Sequence, residues 1–164
     1  MLRNQANSMP AQNERAKRKV FIVDNHPLVR EHLGALIERE ADLEICGDAA
    51  DATTALAAID QHEPDIVILD ISSKGAHGLE LLKSLRVLHP GLRVLALSLY
   101  DNRLYAERAL RAGATGYITK PEATVSILPA IRRVLEGEVF VSRRIAQQPQ
   151  WDPSADHTAA VTYE

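Results

Sequence analysis

The 164-residue chain has only one cysteine, Cys46, and no apolar run long enough to cross a membrane. A single cysteine cannot form an intrachain disulfide, so we interpret Cys46 as a small packing residue of a strand. No CxxC or HExxH spacing supports a zinc or dithiol redox site. Residues 1–19 are polar and then basic, without the apolar stretch of a secretory signal. These absences predict a soluble, cytoplasmic protein without membrane contact.

Neither sign of charge dominates the composition. The formal net charge is −3 at pH 7, and 46% of the residues are hydrophobic. Proteins that bind nucleic acid directly usually have a strongly basic face, which this balance does not indicate. The apolar fraction is sufficient for a core without disulfides, so the length predicts one domain with tails.

Five short apolar segments have the composition of buried strands. They span 20–23, 43–46, 66–69, 94–97 and 116–119. The segment 43–46 alternates in part, which is typical of a strand nearer a sheet edge. The others are largely apolar on both faces, as in parallel strands that helices cover on both sides.

Between these segments, apolar residues recur at helical spacing in five stripes. Alternation of five strands with five helices predicts an α/β fold with a doubly wound, five-stranded parallel sheet. At this length we expect a flavodoxin-like (βα)5 arrangement in strand order 2-1-3-4-5. We further expect residues 1–18 to form a flexible leader, 19–146 the domain, and 147–164 a polar linker or tail.

Polar residues follow four of the five strands at the point where each strand ends. They are Asp24 with Asn25, Asp70, Ser98 and Lys120. Because ligands of open parallel sheets bind beyond the carboxyl ends of the strands, we expect these side chains to converge. Two carboxylates about 4 Å apart repel by roughly 4 kcal/mol at an effective dielectric constant of about 20, which favours a bound cation. An open, oxygen-rich site of this kind suits Mg²⁺.

These residue types also indicate a chemistry. An aspartate between a metal ion and a lysine can act as a nucleophile toward a phosphoryl group, because both cations offset charge on the phosphoryl oxygens. Ser98 could donate a hydrogen bond to one of those oxygens. Each residue alone also fits an ordinary turn or helix cap. Their joint occurrence at four strand ends favours the site.

Five segments give the chain its resemblance to a known family. They read VFIVDNHPLVRE at 20–31, PDIVILD at 64–70, GLELL at 78–82, VLALS at 94–98 and RAGATGYITKP at 111–121. In order, spacing and chemistry, the chain resembles the receiver domains of two-component response regulators of the NarL/FixJ (LuxR-type) family. The resemblance implies a phosphoprotein that is not an enzyme beyond self-catalysed phosphoryl transfer and autodephosphorylation.

The resemblance also implies a role for each site residue. The phosphoacceptor of the family matches Asp70. Its Mg²⁺ ligands match Asp24, Asn25, Asp70 and the backbone carbonyl of Ser72. Its phosphoryl-contacting and switch residues match Ser98, Tyr117 and Lys120. From the residues alone, Tyr117 would be a partly buried strand residue.

Two departures from the family pattern stand next to these residues. Asn25 occupies a position that is usually a second aspartate, and its amide oxygen brings no charge, so we expect weaker Mg²⁺ binding. The loop after Asp70 lacks the usual Met-Pro and Asp-Gly and instead adds Lys74 and His77. An added cation could partly substitute for metal charge, but we interpret both as residues of an exposed loop and helix start.

The leading functional hypothesis is a phosphorylation switch. A sensor histidine kinase would phosphorylate Asp70, and Ser98 and Tyr117 would then shift and remodel the face of the fourth helix and fifth strand to control transcription. The alternative, motivated by Asn25, is a degenerate receiver that acts as a phosphorylation-independent interaction or dimerisation module. A flavin-binding flavodoxin is disfavoured, since no Gly- or Ser/Thr-rich phosphate loop follows the first strand.

The kinase is the expected partner, and a homodimer is a second candidate. NarL/FixJ-type regulators normally continue into a helix-turn-helix domain that binds DNA. The chain shows no pattern of such a domain, so we expect DNA contact only through a domain that this chain lacks.

Overall fold

The computed structural model describes residues 15–72, 77–152 and 161–163. Strands and helices alternate along the chain. They are β1 (Arg18–Val23), α1 (Pro27–Glu38), β2 (Leu43–Ala49), α2 (Ala52–His62), β3 (Ile66–Asp70), α3 (Gly78–Leu88), β4 (Arg93–Ser98), α4 (Arg103–Ala112), β5 (Gly116–Thr119), α5 (Lys120–Leu135), β6 (Val139–Val141), α6 (Arg143–Ala146) and β7 (Val161–Tyr163).

The strands form one parallel sheet in the order β2-β1-β3-β4-β5-β6-β7. The predicted α/β class and the order 2-1-3-4-5 are confirmed. The sheet has more strands than the five that we predicted, because β6 pairs with β5 and β7 pairs with β6. Strand β7 lies within 147–164, which we expected to be a linker or tail. Of the predicted leader 1–18, the structure describes 15–18, and Arg18 already belongs to β1.

Helices cover both faces of the sheet. Helices α1 and α5 pack over a core that includes Ile22, Ile68 and Ile127. Helices α2, α3 and α4 cover the opposite face, where Phe21 and Val67 are buried. All five residues of β3 are buried, so this central strand is shielded from water on both sides. The continuous apolar runs are therefore strands that helices cover on both faces, as the sequence predicted.

The C-terminal segment (138–151) covers the edge of β5 and contacts the start of α4. Val141 of β6 pairs with Tyr117 of β5. The side-chain oxygen of Gln148 accepts a hydrogen bond from the backbone N–H of Arg103 at 2.8 Å, and its amide nitrogen donates to the carbonyl of Asp101. The segment therefore ties the free edge of the five-stranded core to the loop between β4 and α4.

Within the described ranges, the longest helices are too short or too polar to cross a lipid bilayer. Cys46 lies half-buried in β2, and its thiol donates to the carbonyl oxygen of Val20 at 3.4 Å. Burial raises the pKa of the Cys46 thiol. The cysteine therefore packs within the sheet as expected.

The start of α3 packs directly on the end of β3. A Cβ atom added to Gly78 would lie 2.9 Å from the Cα of Ile71 and even closer to the carbonyl oxygen of Asp70. Both are backbone atoms of a buried strand end, which cannot move aside as a flexible side chain can. Glycine at 78 therefore lets the helix approach the strand that carries Asp70.

We expect Gly78→Ala to lower the free energy of unfolding by about 1–3 kcal/mol, because the methyl group must displace backbone. Gly34→Ala is the matched control, since Gly34 lies inside α1 with nothing within 4 Å of an added Cβ. It should raise stability by about 0.5–1 kcal/mol through helix propensity. Urea unfolding followed by far-UV circular dichroism measures both. Equal stability of the two variants would contradict the close approach.

Candidate functional site

Three charged residues stand at the carboxyl end of the sheet. Asp24 directly follows β1, Asp70 is the last residue of β3, and Lys120 is the first residue of α5, without a loop after β5. The ladder continues past Asp70, since the N–H of Ile71 donates to the carbonyl of Leu97 at 2.9 Å. Neighbouring strands therefore fix the backbone on which these side chains stand.

The ammonium group of Lys120 lies between the two carboxylates. Its Nζ atom is 2.9 Å from Asp24 Oδ2 and 3.2 Å from Asp70 Oδ2. Each aspartate is only 1% exposed. Burying an ionised group without a partner costs several kcal/mol, and two such groups also repel each other. Lys120 offsets one of the two negative charges and leaves the other uncompensated within this group.

The two oxygens of Asp24 have different surroundings. Oδ1 accepts a hydrogen bond from the backbone N–H of His26 at 2.8 Å. Oδ2 is buried and lies near Lys120, yet it has no partner in hydrogen-bonding geometry among the described residues. A buried, ionised oxygen of this kind is normally satisfied by a donor or a cation. Asp24 Oδ2 is therefore paired with the Lys120 ammonium by charge but not by a hydrogen bond.

The backbone at Asp24 is held by Arg30 of α1. The Nη1 atom of Arg30 donates to the carbonyl of Asp24 at 2.6 Å, and its Nε donates to Asp48 at 2.6 Å. This charge-assisted pair ties the end of β1 to β2 and α1. It fixes the turn that carries Asp24 without using the carboxylate.

Asp70 is engaged on both oxygens. Oδ1 accepts from the backbone N–H of Ser72 at 2.9 Å and from the Ser72 hydroxyl at 2.6 Å, while Oδ2 faces Lys120. We predicted only a metal-binding role for the Ser72 carbonyl, and that role stays a prediction. The hydroxyl contact gave no signal in the sequence, because a serine after a strand equally fits a turn.

His26 joins this cluster, although we did not predict it. Its Nδ1 atom is 2.9 Å from Asp24 Oδ1 and 3.4 Å from Lys120 Nζ. One ligand atom each of Asp24, His26 and Asp70 lies within 4.8 Å of the others. The available signal was its position two residues after Asp24 and directly before Pro27, where a helix begins. At that position the side chain turns back to the strand end instead of capping the helix.

The two departures from the family pattern flank the site. Asn25, a predicted metal ligand, is exposed on the turn between Asp24 and α1. Lys74 lies outside the described residues. His77 precedes α3 with φ 50°, in the left-handed region, and is exposed as expected for a helix start.

Ser98 and Tyr117 meet through the backbone of Tyr100. The N–H of Tyr100 donates to Ser98 Oγ at 3.0 Å, and the Tyr117 hydroxyl donates to the Tyr100 carbonyl at 2.5 Å. Ser98 is fully buried, and so is Tyr117, which the residues alone predicted to be partly buried. The structure thus assembles the predicted residues into two groups, one around Lys120 and one around Tyr100.

Comparison with known proteins agrees with this geometry. The family model for the response regulator receiver domain matches residues 20–132. The chain belongs to this family. A nitrate/nitrite response regulator protein homolog of Haemophilus influenzae is 35% identical over 129 residues, which cover 79% of this chain and 62% of that protein. The transcriptional regulatory protein MctR of Rhizobium johnstonii is 36% identical over 129 residues, 79% of this chain and 60% of that protein.

A solved structure shows that the similarity extends to the fold. A two-component response regulator of the LuxR family from Aurantimonas sp. SI85-9A1 superposes with a TM-score of 0.76 at 33% identity, covering 80% of this chain and 94% of that chain. The NarL/LuxR-type receiver domain that the motifs predicted is therefore confirmed. The chain spans about three fifths of the length of the curated relatives that it matches.

Lys120→Met should lower the free energy of unfolding by about 3 kcal/mol, because it leaves two buried carboxylates without their ammonium partner. Lys83→Met is the matched control, since Lys83 is exposed and lies 3.4 Å from Glu80 on the same helix. Exposed pairs of this kind contribute less than about 1 kcal/mol. Urea unfolding at neutral pH measures both variants. If Lys120→Met is as stable as Lys83→Met, the ammonium is not compensating the carboxylates.

Burial raises the pKa of the Tyr117 phenol to about 12 from its ordinary value of 10.0. The folded state therefore holds this proton more tightly than the unfolded state. The contribution of the buried Tyr117 phenol to the free energy of unfolding is full below about pH 10 and is lost as the pH rises through about 12. We expect Tyr117→Phe to lose less stability than the wild type across this interval in a series of urea unfolding curves.

Tyr105→Phe serves as the control for the tyrosine titration, because Tyr105 is 43% exposed on α4. It should keep most of the pH dependence of the wild type, because burial, the largest cause of the raised Tyr117 pKa, is unchanged and the charge of Tyr105 is a smaller cause. The same pH dependence in Tyr117→Phe and the wild type would exclude a role for the buried phenol.

Proposed function

We propose that this receiver is a phosphorylation switch in which Asp70 accepts a phosphoryl group from a sensor histidine kinase. The observation that carries the proposal is the contact of the buried Asp70 carboxylate with Lys120, beside the incompletely satisfied carboxylate of Asp24. The combination places a nucleophile next to a fixed positive charge. Receiver domains of response regulators interact with sensor histidine kinases, and the family assignment therefore supports this source of the phosphoryl group.

The transfer needs little covalent chemistry from the protein. One oxygen of Asp70 attacks phosphorus, and the new O–P bond forms as the P–N bond of the phosphohistidine breaks. The electron pair of the broken bond stays with the imidazole nitrogen of the kinase. Lys120 offsets negative charge on the phosphoryl oxygens, and the Ser98 hydroxyl donates to one of them.

The donor set fits Mg²⁺. Asp24 and Asp70 offer hard carboxylate oxygens, and one oxygen of Asp24 lacks a hydrogen-bond partner within the described structure. The Asn25 amide oxygen and the Ser72 carbonyl would complete the protein ligands. The ion would supply a second positive charge to the phosphoryl oxygens. Because Asn25 contributes no charge, we expect binding to be weaker than with two adjacent aspartates.

The Tyr100 backbone supports a route for the switch. When Ser98 turns its hydroxyl to the phosphoryl group, it gives up the hydrogen bond from the Tyr100 N–H. The carbonyl of Tyr100, which holds the Tyr117 hydroxyl, then loses its fixed position. Tyr117 reorients, and the surface of α4 and β5 changes.

An apolar groove next to Lys120 supports a protein as the phosphoryl donor. It has a volume of about 260 Å³ between α1 and α5, and its lining includes Leu28, Leu33 and Ala123. Leu28 is 78% exposed at the start of α1. The groove and the exposed Leu28 together form a continuous apolar surface beside the charged site, which suits the docking of a protein.

Transcription control is the output that the relatives favour, since MctR is named a transcriptional regulatory protein. DNA contact would go through a helix-turn-helix domain outside the described fold. Four further expectations stay predictions. They are autodephosphorylation, homodimerisation, location in the cytoplasm, and the domain boundaries 1–18, 19–146 and 147–164. The alternative of a phosphorylation-independent interaction module gains no specific support, because the contacts among Asp24, Asp70 and Lys120 are in place.

Incubation with Mg²⁺ and a small phosphodonor, followed by intact-mass spectrometry, tests the proposal. We expect one added phosphoryl group on the wild type and none on Asp70→Asn. Asp60→Asn is the matched control, because Asp60 is an exposed aspartate on α2 that pairs with His89. It should be modified like the wild type. Equal modification of wild type and Asp70→Asn would show that Asp70 is not the acceptor.

A further inference from the structure

We propose that the C-terminal segment (138–151) restrains the loop between β4 and α4 (99–102) through the side chain of Gln148, and that this restraint opposes phosphorylation of Asp70. The second half of the inference rests on the proposed function, whereas the restraint itself does not require phosphoryl transfer. Gln148 lies outside the residues that the receiver-domain model matches. The control therefore comes from the segment that follows the matched domain.

The Gln148 side chain uses both ends of its amide group on the main chain around this loop. Its oxygen accepts from the Arg103 N–H at 2.8 Å, and its nitrogen donates to the Asp101 carbonyl. Arg103 is the first residue of α4, and the first N–H groups of a helix have no partner within that helix. Asn102 satisfies another of them, the N–H of Leu104, at 2.8 Å. This pair of hydrogen bonds, the Gln148 contact, therefore contributes to the N-terminal cap of α4.

The residue next to Asp101 carries the two hydrogen bonds of the switch. The Tyr100 N–H donates to Ser98 Oγ at 3.0 Å, and the Tyr100 carbonyl accepts from the Tyr117 hydroxyl at 2.5 Å. Because a peptide unit is planar and stiff, the Tyr100 carbonyl cannot shift without moving the Asp101 N–H of the same unit. The Gln148 contact therefore limits the movement of Tyr100 that the switch requires.

The segment that carries Gln148 is anchored on the strand that carries Tyr117. Ser142 is buried, its N–H donates to the Tyr117 carbonyl at 2.9 Å, and its hydroxyl oxygen accepts from the Thr119 N–H at 2.9 Å. Ile145, between Ser142 and Gln148, is fully buried. Gln148 therefore extends from a fixed base, and its hydrogen bonds hold the loop in place relative to β5.

The Gln148 contact and phosphorylation act on one equilibrium in opposite directions. The contact fits the loop position in which Ser98 holds Tyr100, so it favours the state without a phosphoryl group. Phosphorylation takes the Ser98 hydroxyl away from Tyr100 and favours the other state. Since such coupling is reciprocal, loss of the contact favours phosphorylation, and phosphorylation weakens the contact. Two hydrogen bonds of ordinary net strength correspond to a factor on the order of ten in this equilibrium.

Amide hydrogen exchange of the full chain without a phosphodonor, followed by NMR, tests the restraint. We expect Gln148→Ala to speed exchange of the Tyr100 N–H by about threefold or more, although this amide bonds to Ser98 and not to Gln148. Gln147→Ala is the matched control, because Gln147 is exposed one residue earlier, and it should leave the rate unchanged. Faster exchange of the Arg103 N–H alone, without a change at Tyr100, would overturn the inference.

Acetyl phosphate with Mg²⁺ tests the opposition to phosphorylation, with intact mass as the measurement. We expect Gln148→Ala to gain a phosphoryl group about threefold faster than the wild type or more, because a larger fraction of the protein has a loop that is free to move. Gln147→Ala should react at the wild-type rate. Equal rates in all three proteins would show that the Gln148 contact does not oppose phosphorylation.

Trp151 measures the coupling in the other direction. It is the single tryptophan of the chain, it packs in part against the core, and its N–H donates to the Gln148 carbonyl at 3.2 Å. We expect phosphorylation to shift its emission to longer wavelength in the wild type but not in Asp70→Asn, because loosening of the segment exposes the ring to water. Unchanged emission in the phosphorylated wild type would contradict the inference. If acetyl phosphate leaves the wild type unmodified, the proposed function fails, and the hydrogen-exchange result still decides whether Gln148 restrains Tyr100.

Discussion

The compensation of two buried carboxylates by one ammonium group is the constraint on which the rest of this structure depends. Asp24, Asp70 and Lys120 come from the ends of three different strand–helix units, and Lys120 lies within 3.2 Å of both acids. Such a group can exist only where the backbone is held rigidly, since a buried charge that loses its partner is costly. The fully buried β3 and its ladder to β4 supply that rigidity.

The charge compensation is also incomplete, so the site can respond to a bound cation or to an added phosphoryl group. Two negative charges face one positive charge, so a further cation is favoured at this edge of the sheet. Addition of a phosphoryl group brings negative charge and so changes the charge balance in the opposite direction from a bound cation. The sheet therefore positions a small electrostatic imbalance that binding or modification can shift.

Much of the fold followed from the sequence, because the signals were long and mutually consistent. Runs such as 66–69, apolar on both faces, predicted parallel strands, and the polar residues after four of the five runs predicted the site. Strands β6 and β7 did not follow, since each has only three residues and gains its place through pairing with an existing edge. A short segment of that kind takes its conformation from its neighbour more than from its own pattern.

The site was predictable in its charged residues but not in its connections. Asp24, Asp70 and Lys120 meet because parallel strands place their ends along one edge. The roles of His26 and the Ser72 hydroxyl depend on side-chain rotation in turns, which residue type does not determine. The hydrogen bonds of Ser98 and Tyr117 to residue 100 were equally hidden, because on the side of Tyr100 they use main-chain atoms.

That main-chain link has a consequence for how the protein can vary and be studied. Any residue other than proline at position 100 retains both the N–H and the carbonyl, so exchanging the side chain leaves both hydrogen bonds in place. Side-chain exchange at position 100 would therefore miss the connection, and homologous sequences need not share a residue there. Chemical replacement of the backbone amide by an ester, which removes the donor alone, is the change that isolates it.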